Sequence, residues 1–122
     1  MEYVRVYADD EGRSHFEDVT VEGELREIVA GVPPVLVSAP QPAAGLVFVE
    51  QPTDAADWEQ HVAPRRQWVV LLRGRAAIQV SDGERRDFEA GAIVLAEDTE
   101  GEGHVSTPLT DDLLFVMIPT GT

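Results

Sequence analysis

The feature that most constrains this chain is its rhythm. Apolar residues recur at every second position in short runs, and turn-forming residues cut each run off. Val4, Val6 and Ala8 alternate with Arg5 and Tyr7, and residues 16–22 alternate in the same way. That period puts one face of a strand in a core and the other in water, whereas a helix needs a period of 3.6. Asp9-Asp10-Glu11-Gly12 predicts a turn between these two strands. Pro33-Pro34 precedes Val35-Leu36-Val37, and the loop Pro40-Gln41-Pro42-Ala43-Ala44-Gly45 precedes Leu46-Val47-Phe48-Val49. Residues 67–72 are apolar on both faces after Gln67, as expected of an inner strand covered on each side. Ala76, Ile78 and Val80 form another alternating run that ends at the hairpin turn Asp82-Gly83. Residues 91–95 and 113–118 complete the set. Residues 52–58 alone suggest a helical turn, with Thr53 or Asp54 as its cap. About nine or ten short strands with almost no helical pattern predict an all-β sandwich or barrel.

Composition narrows the function. A chain of 122 residues is expected to form one domain with its own core. It has no cysteine, which removes disulfides, thiolate metal sites and a cysteine nucleophile. All nine cations are arginine, so Schiff-base chemistry through a lysine is excluded. The net charge of −14 repels phosphate backbones and anionic lipid, which argues against nucleic-acid and membrane partners. No signal-like or membrane-spanning apolar run is present, and a soluble, cytoplasmic protein is the expectation.

The histidines carry a more specific pattern. The chain reads His61-Val62-Ala63-Pro64-Arg65-Arg66-Gln67, then reaches Gly74 after six residues. Gly91 follows, and Glu97-Asp98-Thr99-Glu100 leads into Gly101-Glu102-Gly103-His104. This arrangement resembles the two signature motifs of the cupin superfamily. The first motif there runs His, any residue, His, three or four residues, Glu, six residues, Gly. His61 matches the first His, Ala63 stands at the second, Gln67 stands at the Glu and Gly74 matches the Gly. Gly91 and His104 match the two ends of the second motif, with residues 97–101 replacing its middle. The resemblance covers roughly residues 44–119. It implies a double-stranded β-helix, or jelly-roll barrel, over 44–119, with residues 1–43 as extra N-terminal strands and a loop. Those extra strands would lengthen a sheet or cross to a partner subunit.

What the resemblance implies about chemistry is a pocket in the barrel mouth. A divalent transition metal (Fe, Ni, Zn or Mn) would be held there by His61, Gln67 and His104. Gln67 offers a neutral amide oxygen in place of a carboxylate, which weakens such a site. Without a metal, His61 and His104 can shuttle protons, joined by an acid from Glu97 or Asp98. The bland alternatives are polar histidines in a wet barrel mouth and an exposed acidic turn over 97–102. By strand parity Val69 and Leu71 share Gln67's inward face. With Phe115 and Met117 they are the expected walls of a substrate pocket. Arg65 shares that parity and would suit a carboxylate-bearing ligand, or else it balances nearby surface acids. His15 lies outside both motifs, and its reach to the pocket is open.

Two functions follow. The leading one is an enzyme converting a small organic molecule by oxygenase, isomerase, lyase or cyclase chemistry. The other is a non-catalytic carrier or sensor of a small ligand. The resemblance also implies a homodimer, for which Val4, Val6, Val35, Leu36 and Val37 are candidate interface residues.

Overall fold

Twelve strands hold nearly all the regular structure in the computed structural model, which describes residues 1–52 and 58–122. A six-stranded sheet runs in the order β2 (Ser14–Thr20), β1 (Glu2–Ala8), β10 (Ile93–Ala96), β7 (Gln67–Arg73), β12 (Leu114–Pro119), β5 (Val47–Glu50). Only the β1–β10 pairing in it is parallel. A four-stranded antiparallel sheet has the order β6 (Trp58–His61), β11 (His104–Pro108), β8 (Arg75–Val80), β9 (Arg85–Glu89). β3 (Glu24–Arg26) and β4 (Val35–Val37) pair only with each other. The all-β expectation holds, as two larger open sheets and a two-stranded one rather than a closed barrel. Among the described residues there is no helix. The helical turn expected near Thr53 and Asp54 falls outside the described residues. No helix is long and apolar enough to cross a membrane.

The strand parity read from the sequence places the core. Val6, Phe16, Val80 and Val94 are buried together, with Val4, Val69, Ile78 and Phe88 packed against them. Val6 is 1 % exposed, and burial of such a side chain stabilises the fold by roughly 1.5–3 kcal/mol. Val4 and Val6 are therefore core residues and not free for an interface. The N-terminal strands lengthen the six-stranded sheet and help enclose its interior. On the other face of β7, Trp68 meets Tyr3 edge to face at 4.7 Å. Gly74 closes the β7–β8 hairpin at φ +83°, and a side chain there would strike Thr110 and Asp112.

Ser14 links the sheets at one corner. It is fully buried; its Oγ donates to the Gly103 carbonyl at 2.6 Å and accepts from the Ser81 amide at 2.8 Å. The β3–β4 hairpin is different. Leu25, Ile28 and Leu36 are each more than 60 % exposed on it, and Phe48 on the edge strand β5 is 73 % exposed.

His15 does not reach the interior. Its Nε2 bonds Asp9 at 2.6 Å and its Nδ1 bonds Asp82 at 2.8 Å, on the outer side of β2. Two carboxylates, Asp9 foremost and Asp82 next, raise its pKa, because both ring nitrogens then donate. Hydrogen bonding to His15 lowers the Asp9 carboxyl; the Glu84 amide first, with help from His15, lowers that of Asp82. The raised histidine contributes stability in full below its ordinary value of about 6.5, and that contribution is lost as pH climbs through the raised value. The lowered carboxylates contribute above about 3.9 and lose it as pH falls below that. His15→Gln should therefore lower the unfolding midpoint most between about pH 4 and 6.5. The gap to wild type should close at higher pH, as measured by denaturant titration across the range. A gap that widens with alkaline pH would remove the clamp.

Candidate functional site

The two sheets enclose a cavity of about 360 Å³, toward the small end of the roughly 300–1,000 Å³ typical of small-molecule sites. Val69 and Leu71 from β7 and Phe115 and Met117 from β12 wall it on one side. Ala76 and Ile78 from β8 and Phe88 from β9 wall it on the other. The expected walls Val69, Leu71, Phe115 and Met117 all face the cavity, since every second residue of an inner strand must. His61, His104 and Gln67 lie at one end. Beyond them the wall is mainly apolar, with Gln51, Ser106 and Thr107 as its other polar residues among those described.

The backbone brings the two histidines together. His61 ends β6, His104 begins β11, and they are directly opposed across the antiparallel pair. Their ring centroids lie 4.7 Å apart at an interplanar angle of 56°. The residue before His104 makes this approach possible. Gly103 is buried with φ +74°, and a Cβ there would collide with the His61 carbonyl. Only glycine combines that dihedral with that contact.

Each imidazole is held by the nitrogen nearer the backbone. His61 Nδ1 donates to the Glu59 carbonyl at 2.7 Å, an acceptor-only partner that fixes the proton on Nδ1. His104 Nδ1 donates to Asp98 Oδ2 at 2.5 Å. Asp98 is fully buried, and its Oδ1 has no partner among the described residues. Both Nε2 atoms thus carry the lone pair in the neutral rings, and neither has a partner among the described residues. A carboxylate that orients a histidine through Nδ1 is the arrangement that tunes basic and ligating imidazoles.

The other candidates are placed elsewhere, for definite reasons. Glu97 lies between Ala96 and Asp98 with the opposite parity and is not on the cavity wall. It bonds Arg5 at 2.5 Å and Arg66 at 2.7 Å. Burial raises its carboxyl, but the hydrogen bonds and charges of these arginines outweigh that and hold it below the usual range. Of the two acids, Asp98 is the one joined to the histidines and Glu97 is a clamp between strands. Arg65 is exposed and does not line the cavity; its Nε donates to Gln67 Oε1 at 3.1 Å. The inward-facing arginine expected at the rim is thereby corrected.

Gln67 is 4 % exposed and faces inward. Its oxygen already accepts from Arg65, and its Nε2 contacts Met117 Sδ at 3.4 Å. A guanidinium on the oxygen that would ligate a cation opposes metal binding there. Ala63 lines the cavity where a second imidazole of the first motif would stand. Among the described residues no three His, Cys, Asp or Glu side chains converge on one point. Of the set expected to hold a transition metal, the Nε2 atoms of His61 and His104 are unpartnered among the described residues, while the Gln67 oxygen already accepts from Arg65. Asp98 was legible as an acid near His104, but its burial and aim were not.

No protein-family model matches the chain, and no curated protein matches its sequence.

Gly103→Ala should lose about 1–3 kcal/mol of stability from the backbone strain alone, with more from the collision with His61. The loss should be read in denaturant midpoints, and the imidazole NMR signals of His61 and His104 should both shift. Unchanged imidazole signals would mean that Gly103 does not set the histidine pair.

Proposed function

We propose that this protein is a cupin-type enzyme that relocates protons on a small organic molecule held between its two sheets. The reading rests on one observation: two imidazoles, each anchored through Nδ1, leave two unpartnered Nε2 atoms at one end of a mainly apolar cavity. The two-sheet architecture around that cavity and the motif spacing support the jelly-roll assignment. The reaction class is isomerase, dehydratase or cyclase, all of which need a proton removed at one atom and delivered at another.

The chemistry follows from the geometry. His104 Nε2 accepts a proton from a carbon beside a carbonyl, and the C–H electron pair moves toward the carbonyl oxygen. Asp98 keeps the ring in place and faces the positive charge that forms on it. The proton then passes to the Nε2 of the adjacent His61, which delivers it to the oxygen or to the far carbon of the conjugated system, so that both rings begin and end the cycle neutral. Protons on the rings exchange with water. Apolar walls exclude bulk water and strengthen every electrostatic term inside. A ligand carrier is the rival reading, favoured by the small number of polar groups on the walls.

2-Tetralone, a neutral bicyclic ketone that enolises readily, tests the two against each other in D2O. The enzyme should accelerate deuterium entry next to the carbonyl, followed by NMR. His61→Ala and His104→Ala should each cost about 10²–10⁴-fold, the size expected of a positioned acid or base. Asp98→Asn should retain binding and lose most of the rate, because the amide does not balance an imidazolium. Saturable binding of 2-tetralone without exchange above background supports the carrier instead.

Assembly as a homodimer belongs to the same proposal. A three-residue-per-strand hairpin with Leu25 and Leu36 exposed does not stand alone in water. A second copy would cover it. Leu25→Glu with Leu36→Glu should convert a dimer to a monomer in sedimentation, with the cavity's ligand binding retained. A wild-type chain that sediments as a monomer at high concentration removes this part.

A further inference from the structure

We infer that the cavity selects neutral ligands: an apolar body of one or two rings with a hydroxyl donor at its head, and no carboxylate or phosphate. This rests on the proposed active site and names the substrate class it would take.

The first support is where the cations are. No arginine lines the cavity among the described residues, and residues 53–57 contain no cation in their sequence. Arg5 and Arg66 are both bonded to Glu97, away from the cavity, and Arg65 is exposed and spent on Gln67. An anionic ligand entering this space would lose its hydration with no charge to replace it, which costs several kcal/mol. A chain of net charge −14 also repels it on approach.

The second support is the head group. In their neutral tautomers both Nε2 atoms are acceptors, because Glu59 O and Asp98 hold the protons on Nδ1. A ligand oxygen that carries a hydrogen satisfies one of them directly. A carboxylate would set lone pairs against lone pairs. The Gln67 amide carries no charge to balance an anion, and its Nε2 donates to Met117 Sδ.

The third support is shape. From Gln67 to Leu71 the wall runs four residues, roughly 13 Å at strand spacing. Val69, Leu71, Ile78, Phe88 and Phe115 line this stretch with apolar surface. That length and volume fit a bicyclic body with its hydroxyl at the histidine end. They leave no cation to hold a nucleotide's phosphates.

A matched pair of probes tests the inference without any turnover. 2-Naphthol and 2-naphthoate have the same ring body and differ in the head group, neutral donor against anion. Calorimetry at pH 7.5 should show 2-naphthol binding at least 100-fold more tightly than 2-naphthoate. His104→Gln and His61→Gln should weaken 2-naphthol about tenfold and leave naphthalene unchanged. Equal or tighter binding of 2-naphthoate to the wild-type protein overturns the inference, and this comparison does not depend on either variant folding. So does a 2-naphthol affinity that both properly folded variants retain in full. The outcomes separate from those of the proposed function. Selective 2-naphthol binding with no deuterium exchange on 2-tetralone keeps the ligand class and loses the enzyme. Exchange that depends on the histidines, alongside tight 2-naphthoate binding, keeps the enzyme and loses the ligand class.

Discussion

The site depends on one close approach, the backbone of Gly103 against the carbonyl of His61. Two strands from distant parts of the chain meet there, and the absence of a side chain lets them meet. The approach is held from behind. Ser14, fully buried, donates to the Gly103 carbonyl and ties it to the end of β8 through Ser81. Gln60 adds a bond to the Glu102 carbonyl one residue earlier. With the backbone held by these two bonds, the rings of His61 and His104 have little freedom in where they sit. The Nδ1 bonds to Glu59 and Asp98 then decide how they are turned.

Charge is sorted by face with the same strand geometry. Ala96 lines the cavity, Glu97 turns outward to two arginines, and Asp98 turns back inward to His104. Successive residues on one extended segment thus serve the wall, the exterior ion pairs and the imidazole. Outside, ion pairs sit in water, where each contributes little alone but where several converge on β1, β10 and the approach to β7. Inside, the one buried carboxylate among the described residues, Asp98, has a single partner and an unsatisfied oxygen, Oδ1. Buried polar atoms left unpaired are costly and uncommon, and they concentrate where function demands them.

Much of this was legible in the sequence. The alternation at Val4–Ala8 and Ala76–Val80, the apolar run from Trp68, and the turns at residues 9–12 and 82–83 mark strands where strands occur. Four strands were not read. Glu24–Arg26, Trp58–His61, Arg85–Glu89 and His104–Pro108 are polar or irregular, and their pairing comes from neighbours rather than from their own pattern. The motif resemblance over His61, Gln67 and His104 implied one pocket, and parity put Val69 and Leu71 on its wall. The sequence could not separate Glu97 from Asp98, because both are acids at the end of a strand and one step of pleat decides their sides. Nor could it show that Arg65 would lie across Gln67 instead of facing a ligand.

The sequence by itself therefore determined the fold class, the turn positions and which residue types were available: three histidines, nine arginines, no lysine and no cysteine. Those are local matters, set by side-chain period, glycine and proline, and the count of ionisable groups. Tertiary structure alone decided that His61 opposes His104, that Asp98 is buried behind one imidazole, and that every arginine of the described residues stays off the cavity wall. The first of these depends on a pairing of residues more than forty positions apart, and no periodicity within a strand carries information about which distant strand it will meet.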